Sequence, residues 1–287
     1  MTKKKRDADS AQLIFKTAFE LMHERQEIKR YPTETPIDEL IGGGIEEGEV
    51  VEFYGEYGSG KTQIAKTLAV MVAGIHNQHV VFVDCEETFK PERIVQIAKN
   101  RGLNVDQVLQ NIHVLIPVTA LDLMAVLECM PENIQPKLLI IDGLTTPFRV
   151  EFIGRETLAE RQGYLRKFLY DLKRWAKKTK TAVIVTNQVY ADPSATPFLP
   201  LEYRELAVGG HSLYHAIDSR IFVRKAQGGT RIAKLVDSSC YPPAERPFRI
   251  TDKGIEPPSE PKKEGRKEEQ VATATEKPDI PPETHID

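Results

Sequence analysis

The sequence predicts an α/β fold with a largely parallel central sheet flanked by helices and a C-terminal antiparallel extension. Two observations support this prediction. Short apolar runs alternate with amphipathic helical patterns through most of the 287 residues, and a hairpin signal follows the last of them. Strands that alternate with helices usually form a parallel sheet with helices on both faces. The chain is long enough for one large domain with short extensions.

The apolar runs have the length of buried strands, and the patterns between them repeat at helical spacing. The predicted strands cover residues 50–54, 80–84, 112–116, 138–142 and 182–187. The predicted helices cover residues 61–75, 91–101, 120–130 and 158–178. Residues 219–225 and 230–236 flank a Gly-Gly turn, which predicts a hairpin, and residues 248–251 predict one more strand.

The two ends of the chain differ in composition from the middle. Residues 1–10 predict a disordered basic leader, and the charged, Pro-rich residues 257–287 predict a disordered tail. This tail holds five Lys and Arg against eight Asp and Glu, so it accounts for the whole net charge of -3. A globally basic nucleic-acid binder is therefore excluded, although a local basic groove is not.

Three features predict a cytoplasmic protein without a membrane partner. No apolar run approaches the ~18 residues of a membrane span. The N-terminus lacks the apolar segment of a secretory signal. The three cysteines (Cys85, Cys129 and Cys240) are scattered and fit neither a disulfide framework nor a metal site, which indicates a reducing compartment.

A glycine-rich segment separates the first predicted strand from the first predicted helix. It reads Gly55, Glu56, Tyr57, Gly58, Ser59, Gly60, Lys61, Thr62. A strand, a Gly-rich loop and a helix in this order form the phosphate-binding loop, whose N–H groups and helix N-terminus surround phosphates. Lys61 can reach the β and γ oxygens, and Thr62 can ligate Mg²⁺. The segment predicts binding of a nucleoside triphosphate.

Three other predicted strands end in polar residues that a parallel sheet would bring beside this loop. One ends in Asp142, which can hold Mg²⁺. Another leads into Glu86 and Glu87, and either carboxylate can polarise an attacking water. The third is followed by Gln188, which can contact the γ-phosphate or simply cap the loop. Residues 189–208 then form a long Pro-rich stretch without periodicity, which predicts a functional or disordered loop.

Together these segments resemble the RadA/RecA-type recombinases, in particular the archaeal RadA and eukaryotic branch. The resemblance runs from about Phe15 to Glu256 and is carried by residues 55–63, 82–94, 138–142, 148–162, 186–188, 209–211 and 235–238. It implies a RecA-like P-loop ATPase core over residues 35–256, preceded by an oligomerisation linker over residues 11–34.

The resemblance also implies roles for single residues at the nucleotide. Glu86, rather than Glu87, would be the catalytic glutamate, and Gln188 would sense the γ-phosphate and couple it to the long loop. Further nucleotide contacts would come from Gln63, Arg93, Asp237 and Pro242. The last two belong to a segment that resembles the cap a neighbouring protomer lays over ATP, so ATP would lie between subunits.

The two DNA-binding loops of the family match residues 149–161 and about 189–210. The residues assigned to DNA are Arg149, Arg155, Arg161, Gly209 and Gly210. Arginines at six-residue intervals can bridge phosphates, although this segment alone reads equally well as a solvated helix entry. The resemblance favours contacts with single-stranded and double-stranded DNA.

A Phe-x-x-Ala pattern formed by Phe15 and Ala18 resembles the oligomerisation motif of the family. In the family this segment adds to the sheet edge of a neighbour and buries the Phe. The competing interpretation is packing within the chain, since Phe15, Ala18, Phe19 and Met22 also have helical spacing. The position of the motif favours oligomerisation into a filament or ring.

Three departures from the family pattern leave two functions open. Relative to the family pattern, the sequence predicts no N-terminal helix-hairpin-helix domain, Glu156 replaces a customary Gly, and the cap lacks a customary proline after Asp237-Ser238. The expected function is an ATP-dependent DNA recombinase for homologous recombination and DNA repair, a DNA-dependent ATPase that promotes strand exchange. The alternative is a recombinase paralogue that mediates the filament of another recombinase. The family segments disfavour a ring helicase or a signalling ATPase.

Overall fold

The computed structural model describes residues 15–131, 133–154, 156–191, 198, 204–209 and 216–258. The helices of these residues are α1 (Ala18–Gln26), α2 (Lys61–Ile75), α3 (Pro91–Asn100), α4 (Val105–Asn111), α5 (Ala120–Ala125), α6 (Thr146–Glu151) and α7 (Leu158–Thr179). The strands are β1 (Arg30–Tyr31), β2 (Ile45–Glu46), β3 (Val50–Tyr54), β4 (Val80–Asp84), β5 (Ile112–Leu115), β6 (Leu138–Asp142), β7 (Ala182–Asn187), β8 (Val189–Ala191), β9 (Glu205–Ala207), β10 (Ser219–Lys225), β11 (Arg231–Ser238), β12 (Ala244–Thr251) and β13 (Gly254–Glu256).

Nine of the described strands form one sheet in the order β13-β12-β11-β10-β3-β7-β6-β4-β5. The six strands from β10 to β5 run parallel to one another, whereas β10 to β13 pair antiparallel. The predicted fold class is therefore confirmed. Strands β3, β4, β6 and β7 all end at one edge of the sheet, which we call the carboxyl edge.

The core occupies both faces of this sheet. Side chains alternate along β3, so Val51 and Phe53 pack on one face while Val50 and Tyr54 pack on the other. The first face is covered by α2, α3 and α4, and the second by α5, α6 and α7. Both faces of β3, β4, β6 and β7 are thus buried, which explains why these strands are mostly apolar, whereas the edge strand β5 is partly exposed.

Most predicted elements coincide with observed ones within a residue or two, the usual uncertainty of element ends. The helix predicted over residues 120–130 is wrong beyond Ala125, where α5 ends. Bonds from Val126 N–H to the Leu123 carbonyl and from Glu128 N–H to the Ala125 carbonyl turn the chain more tightly there. The approach to Pro131 also disfavours helical backbone. The short helices α4 and α6 were not predicted.

The N-terminal helix α1 contains no buried residue. It begins at Ala18 after a capping box formed by Thr17 and Glu20. Phe15 and Phe19 are 92% and 72% exposed. The helical spacing is thus confirmed for Ala18, Phe19 and Met22 but not for Phe15, which precedes the helix, and the apolar side chains are exposed rather than packed within the chain. The buried part of the chain begins near Tyr31.

No helix in the described ranges is long and apolar enough to cross a membrane. Cys85 is buried, Cys129 and Cys240 are exposed, and all three are free thiols. The predicted leader, residues 1–10, and the predicted tail from residue 259 onwards lie outside the described residues.

Candidate nucleotide and DNA site

The glycine-rich loop connects β3 to α2 at the carboxyl edge, as predicted. Gly60 precedes α2 with φ of 114°, in the left-handed region that side chains rarely adopt. A Cβ on Gly55 would clash with the carbonyl oxygen of Val223 on β10. The loop therefore depends on glycine at both positions, as a phosphate-binding backbone does.

Lys61 begins α2 and is buried inside this loop. Its Nζ donates to the carbonyl oxygens of Gly55, at 2.9 Å, and Glu56, at 2.8 Å. Burial lowers the pKa of Lys61, and the charges of Glu86 and Asp142 oppose this effect. An anionic oxygen beside the ammonium would offset the cost of burying its charge, so the position suits a phosphate.

Thr62 and Asp142 lie together, as the sequence predicts for a Mg²⁺ site. Thr62 Oγ1 donates to Asp142 Oδ1 at 3.1 Å, and Thr186 Oγ1 donates to the same oxygen at 2.6 Å. Asp142 Oδ2 is buried and has no hydrogen-bond partner among the described residues. Burial raises the pKa of Asp142, against hydrogen bonds from Thr186 and Thr62.

This donor set fits Mg²⁺. An orphaned carboxylate oxygen beside a hydroxyl is the hard-oxygen environment that this cation prefers. Among the described residues, no group of three or more His, Cys, Asp or Glu could hold a metal ion alone. Such a sparse set is usual for Mg²⁺, which often takes one or two protein ligands together with substrate phosphates.

The two candidate catalytic carboxylates after β4 differ in position. Gln188 Nε2 donates to Glu86 Oε1 at 3.0 Å, although 102 residues separate the two in the chain. Glu86 and Gln188 line a cavity of about 340 Å³ together with the phosphate loop, and Glu87 does not. Glu87 instead adopts a left-handed φ of 54°. The geometry favours Glu86 over Glu87 as the carboxylate of this cavity, which we call the nucleotide cavity because the predicted phosphate loop lines it.

Two residues that sequence reasoning missed hold the turn that carries Glu86. Asp84 Oδ2 accepts a hydrogen bond from the Phe89 N–H at 2.7 Å, and Lys66 Nζ donates to the Thr88 carbonyl at 2.9 Å. Burial lowers the pKa of Lys66, against the charges of Asp142 and Asp84. The position of Lys66 one helical turn after Thr62 is the signal that could have revealed it.

Apart from Asp237 and Pro242, the other predicted nucleotide residues lie in or beside the cavity. It is lined by Tyr57, Gly58, Gly60, Lys61, Thr62, Gln63, Lys66, Glu86, Thr88, Gly143, Thr186, Asn187, Gln188, Arg231 and Ile250. Arg93 is joined to this lining, since its Nε donates to Gln63 Oε1 at 2.9 Å and its Nη2 to the Thr251 carbonyl at 2.7 Å. Contact between Arg93 and the nucleotide stays a prediction. Arg231 and Ile250, from β11 and β12, were not predicted.

The described ends of the two predicted DNA loops lie next to each other. Arg149 and Arg161 line one cavity of about 440 Å³ with Tyr190 and Gly209. Arg149 also lines an adjoining cavity with Glu86 and Gln188. The carboxylate and amide at the nucleotide cavity are thus neighbours of the predicted DNA face. Arg155 and Gly210 lie outside the described residues.

The second predicted loop contains structure that the sequence did not reveal. Its described ends, β8 and β9, pair antiparallel, with Tyr190 opposite Leu206. The expectation of a functional or disordered loop over residues 189–208 did not include these two strands. Three-residue strands are too short to show an alternating pattern.

The predicted cap lies away from the nucleotide cavity of its own chain. Asp237 is near the end of β11, opposite Arg220 at the beginning of β10. Since β10 runs toward the carboxyl edge and β11 runs back, Asp237 and Pro242 lie at the opposite edge of the sheet. This position agrees with the prediction that they cover the nucleotide of a neighbour, which stays a prediction.

Glu205 on β9 gives a pH-dependent prediction. Burial, together with the charge of Glu56 and a hydrogen bond to it, raises the pKa of Glu205 to about 7. Because Glu205 holds its proton more tightly in the folded than in the unfolded state, it contributes to the free energy of unfolding at pH values below the unfolded-state pKa. This contribution is lost as the pH rises through the folded-state pKa of about 7. The melting temperature of Glu205→Gln relative to wild type should therefore increase from pH 5 to pH 8, by about 2 °C or less because the side chain is only half-buried and solvent screens part of the effect. An equal difference at both pH values would contradict it.

Comparison with known proteins agrees with this site. The family model described as Rad51 matches residues 24–258. The chain is 42% identical over 262 residues to the DNA repair and recombination protein RadA of Ignicoccus hospitalis, covering 86% of this chain and 78% of the relative. It is 40% identical over 260 residues to the protein of the same name from Aeropyrum pernix, covering 87% of this chain and 80% of the relative. The match of this family model to most of the chain, together with 40% to 42% identity to two relatives, shows that the chain belongs to the Rad51 family.

Proposed function

We propose that this protein is an ATP-dependent DNA recombinase that acts in homologous recombination and DNA repair. It binds single-stranded DNA as an oligomer, promotes strand exchange with double-stranded DNA and hydrolyses ATP in a DNA-dependent way. The observation that carries the proposal is the position of Gln188, which contacts Glu86 in the nucleotide cavity and directly precedes β8, the first strand of the second DNA loop. We place the protein in the cytoplasm, associated with the nucleoid.

Each residue of the nucleotide site has a chemical task in this proposal. Mg²⁺–ATP supplies the phosphoryl group whose transfer to water drives the cycle. Lys61 and the loop backbone hold the phosphates, while Thr62 and Asp142 hold the cation. Glu86 orients water and accepts its proton. Gln188, in contact with Glu86, reports the state of the γ-phosphate position.

In this proposal the protein contacts mainly the sugar-phosphate backbone of the DNA. Arg149 and Arg161 present positive charge beside the Gly209 backbone, which suits phosphates rather than base edges. A protein that must act on any sequence needs this kind of contact. Homology would then be tested by pairing between the DNA strands themselves.

Self-assembly is supported by two complementary exposed surfaces. The first surface is the segment of Phe15, which is 92% exposed ahead of α1. The second surface is β5, the edge strand of the sheet, which pairs only with β4 among the described strands. Exposed apolar side chains on and after β5 are Val114, Leu115, Ile116, Val118 and Leu121. An apolar strand edge is a template for an extended segment of another chain, so we propose that the Phe15 segment adds to it.

Phe15→Glu should therefore leave a folded monomer. A carboxylate cannot enter an apolar site without a partner, so the association constant should fall by about 100-fold or more. Sedimentation velocity measures the change. Tyr170→Glu is the matched control, since it places the same charge on another exposed aromatic position, on the outer face of α7. An unchanged sedimentation profile for Phe15→Glu would refute the assignment.

A mixing experiment tests the two surfaces together. Leu115→Glu should disrupt the receiving edge and also give monomers. A mixture of the Phe15→Glu and Leu115→Glu chains retains one intact pair of surfaces, so it should form dimers and nothing larger. Longer assemblies in the mixture would show that another surface holds the oligomer.

Strand exchange between homologous oligonucleotides tests the proposed function, with this protein as the only one present, together with ATP and Mg²⁺. We expect exchange that requires ATP. DNA-stimulated ATP hydrolysis without exchange would instead favour a recombinase paralogue that mediates another recombinase. The absence of both strand exchange and DNA-stimulated ATP hydrolysis would overturn both functions.

A further inference from the structure

A buried polar network joins the nucleotide cavity to the base of the second DNA loop. Asn187, the last residue of β7, is almost fully buried and lies at its centre. Its Nδ2 donates to the Val208 carbonyl at 2.7 Å and to Glu52 Oε1 at 3.0 Å. Its Oδ1 accepts from the Gln188 N–H at 2.9 Å and from Thr145 Oγ1 at 3.0 Å. Four hydrogen bonds therefore fix the orientation of this amide.

A buried ion pair anchors the network inside the sheet. Glu52 on β3 is 0% exposed, and Arg220 Nε on β10 donates to its Oε2 at 2.7 Å. The Arg220 guanidinium also lies 4.7 Å from the ring centroid of Tyr54. Burying such a pair gains little stability, because apolar residues of similar volume usually serve as well. The structure gives the pair another task, since Glu52 supplies the acceptor that holds the Asn187 amide.

The residue after Asn187 is held in a different way. The Gln188 side chain contacts Glu86, and its backbone carbonyl accepts from the Val208 N–H at 2.9 Å. Val208 directly follows β9, so both of its backbone groups bond to the Asn187–Gln188 pair. A movement of Gln188 would shift the N–H group of Val208, whereas the Asn187 amide would hold the carbonyl group of Val208 in place. The ribbon formed by β8 and β9 would then turn rather than slide.

We propose that Asn187, anchored by Glu52 and Arg220, is a positioning residue that makes the base of the second DNA loop respond to the nucleotide. The inference rests on the proposed function and adds to it the fixed point against which Gln188 acts. Without the hydrogen bonds of Asn187, a movement of Gln188 would not change the orientation of the ribbon formed by β8 and β9. Nucleotide binding and DNA binding would each persist, but they would no longer be coupled.

The experiment measures the affinity for a fluorescent oligo-dT with and without AMP-PNP and Mg²⁺, and the ratio of the two affinities is the coupling. Affinity for a fluorescent ATP analogue without DNA and the melting temperature are measured in parallel. Asn187→Ala should reduce the coupling about tenfold or more, since it removes all four hydrogen bonds of the amide, and the two donated ones alone are each worth roughly a factor of three to ten. Because Asn187 also lines the nucleotide cavity, any loss of affinity for the ATP analogue is compared with the loss of coupling and should be the smaller of the two.

Two double variants separate positioning from general stability. Glu52→Gln with Arg220→Met removes both charges but keeps an amide oxygen that can accept from Asn187. Glu52→Leu with Arg220→Met also removes both charges and lacks this oxygen. The first pair should keep most of the coupling, and the second should lose it as Asn187→Ala does.

Each outcome has a separate meaning. Equal coupling in the two double variants, or unchanged coupling in folded Asn187→Ala, would overturn the positioning role. No coupling in the wild-type protein would refute the proposed function itself. If Asn187→Ala fails to fold, the two double variants still decide the question, because they differ only in one side chain at position 52.

Discussion

Lys61→Ala is expected to abolish ATP-dependent DNA binding and strand exchange. The Lys61 ammonium is the buried positive charge of the phosphate loop, and its removal takes away the charge-assisted contacts that the loop offers to phosphates. Loss of two such contacts corresponds to a reduction in ATP affinity of about 100-fold or more. Titration with a fluorescent ATP analogue measures the affinity, and electron microscopy shows whether filaments form.

The matched control for this variant is Lys167→Ala. Lys167 is an exposed lysine on α7 that pairs with Asp171 four residues later, and a surface pair of this kind contributes little. Nucleotide affinity and filaments should therefore be unchanged in the control. Normal ATP-dependent filaments in Lys61→Ala would refute the assignment of the phosphate loop.

Glu86→Gln is expected to stop ATP hydrolysis while leaving ATP-dependent DNA binding intact. The amide keeps an oxygen that can accept the hydrogen bond from Gln188 Nε2, but it cannot take a proton from water. Loss of a general base should lower kcat by about 100-fold to 10,000-fold. Phosphate release under saturating single-stranded DNA measures kcat, and DNA affinity with ATP should stay within a factor of about three.

Glu87→Gln tests the choice between the two carboxylates. Glu87 lies outside the nucleotide cavity lining, so its replacement should leave kcat near the wild-type value. If Glu87→Gln were inactive and Glu86→Gln active, the two assignments would have to be exchanged. If both variants hydrolysed ATP normally, another group would have to position the water.

Much of this fold could be predicted because its central strands are apolar on both faces. Strand β6 reads Leu138-Leu-Ile-Ile-Asp142 and was placed at both ends from this run alone. The phosphate loop was equally visible, because the glycines, Lys61 and Thr62 are contiguous. Contiguous patterns need no knowledge of tertiary contacts.

The contacts that link the two sites were not visible in the same way. Glu86 and Gln188 come together only when β4 and β7 take their places on either side of β6. Glu52 is a charged residue inside an apolar strand, and its partners on β7 and β10 lie far away in the sequence. No local pattern distinguishes such a buried charge from an exposed one.

The positions of the phosphate loop and Asp237 at opposite edges of the sheet have a consequence for measured activity. If each nucleotide is covered by the next chain, an open assembly has two unlike ends, and one end chain always has an uncovered nucleotide. Activity per chain should then rise with length, from half of its limiting value in a dimer toward that limit in a long polymer. A closed ring has no end chain, so it would reach the limiting value at any size. Hydrolysis per chain, measured as a function of protein concentration, would thus separate the two architectures without an image.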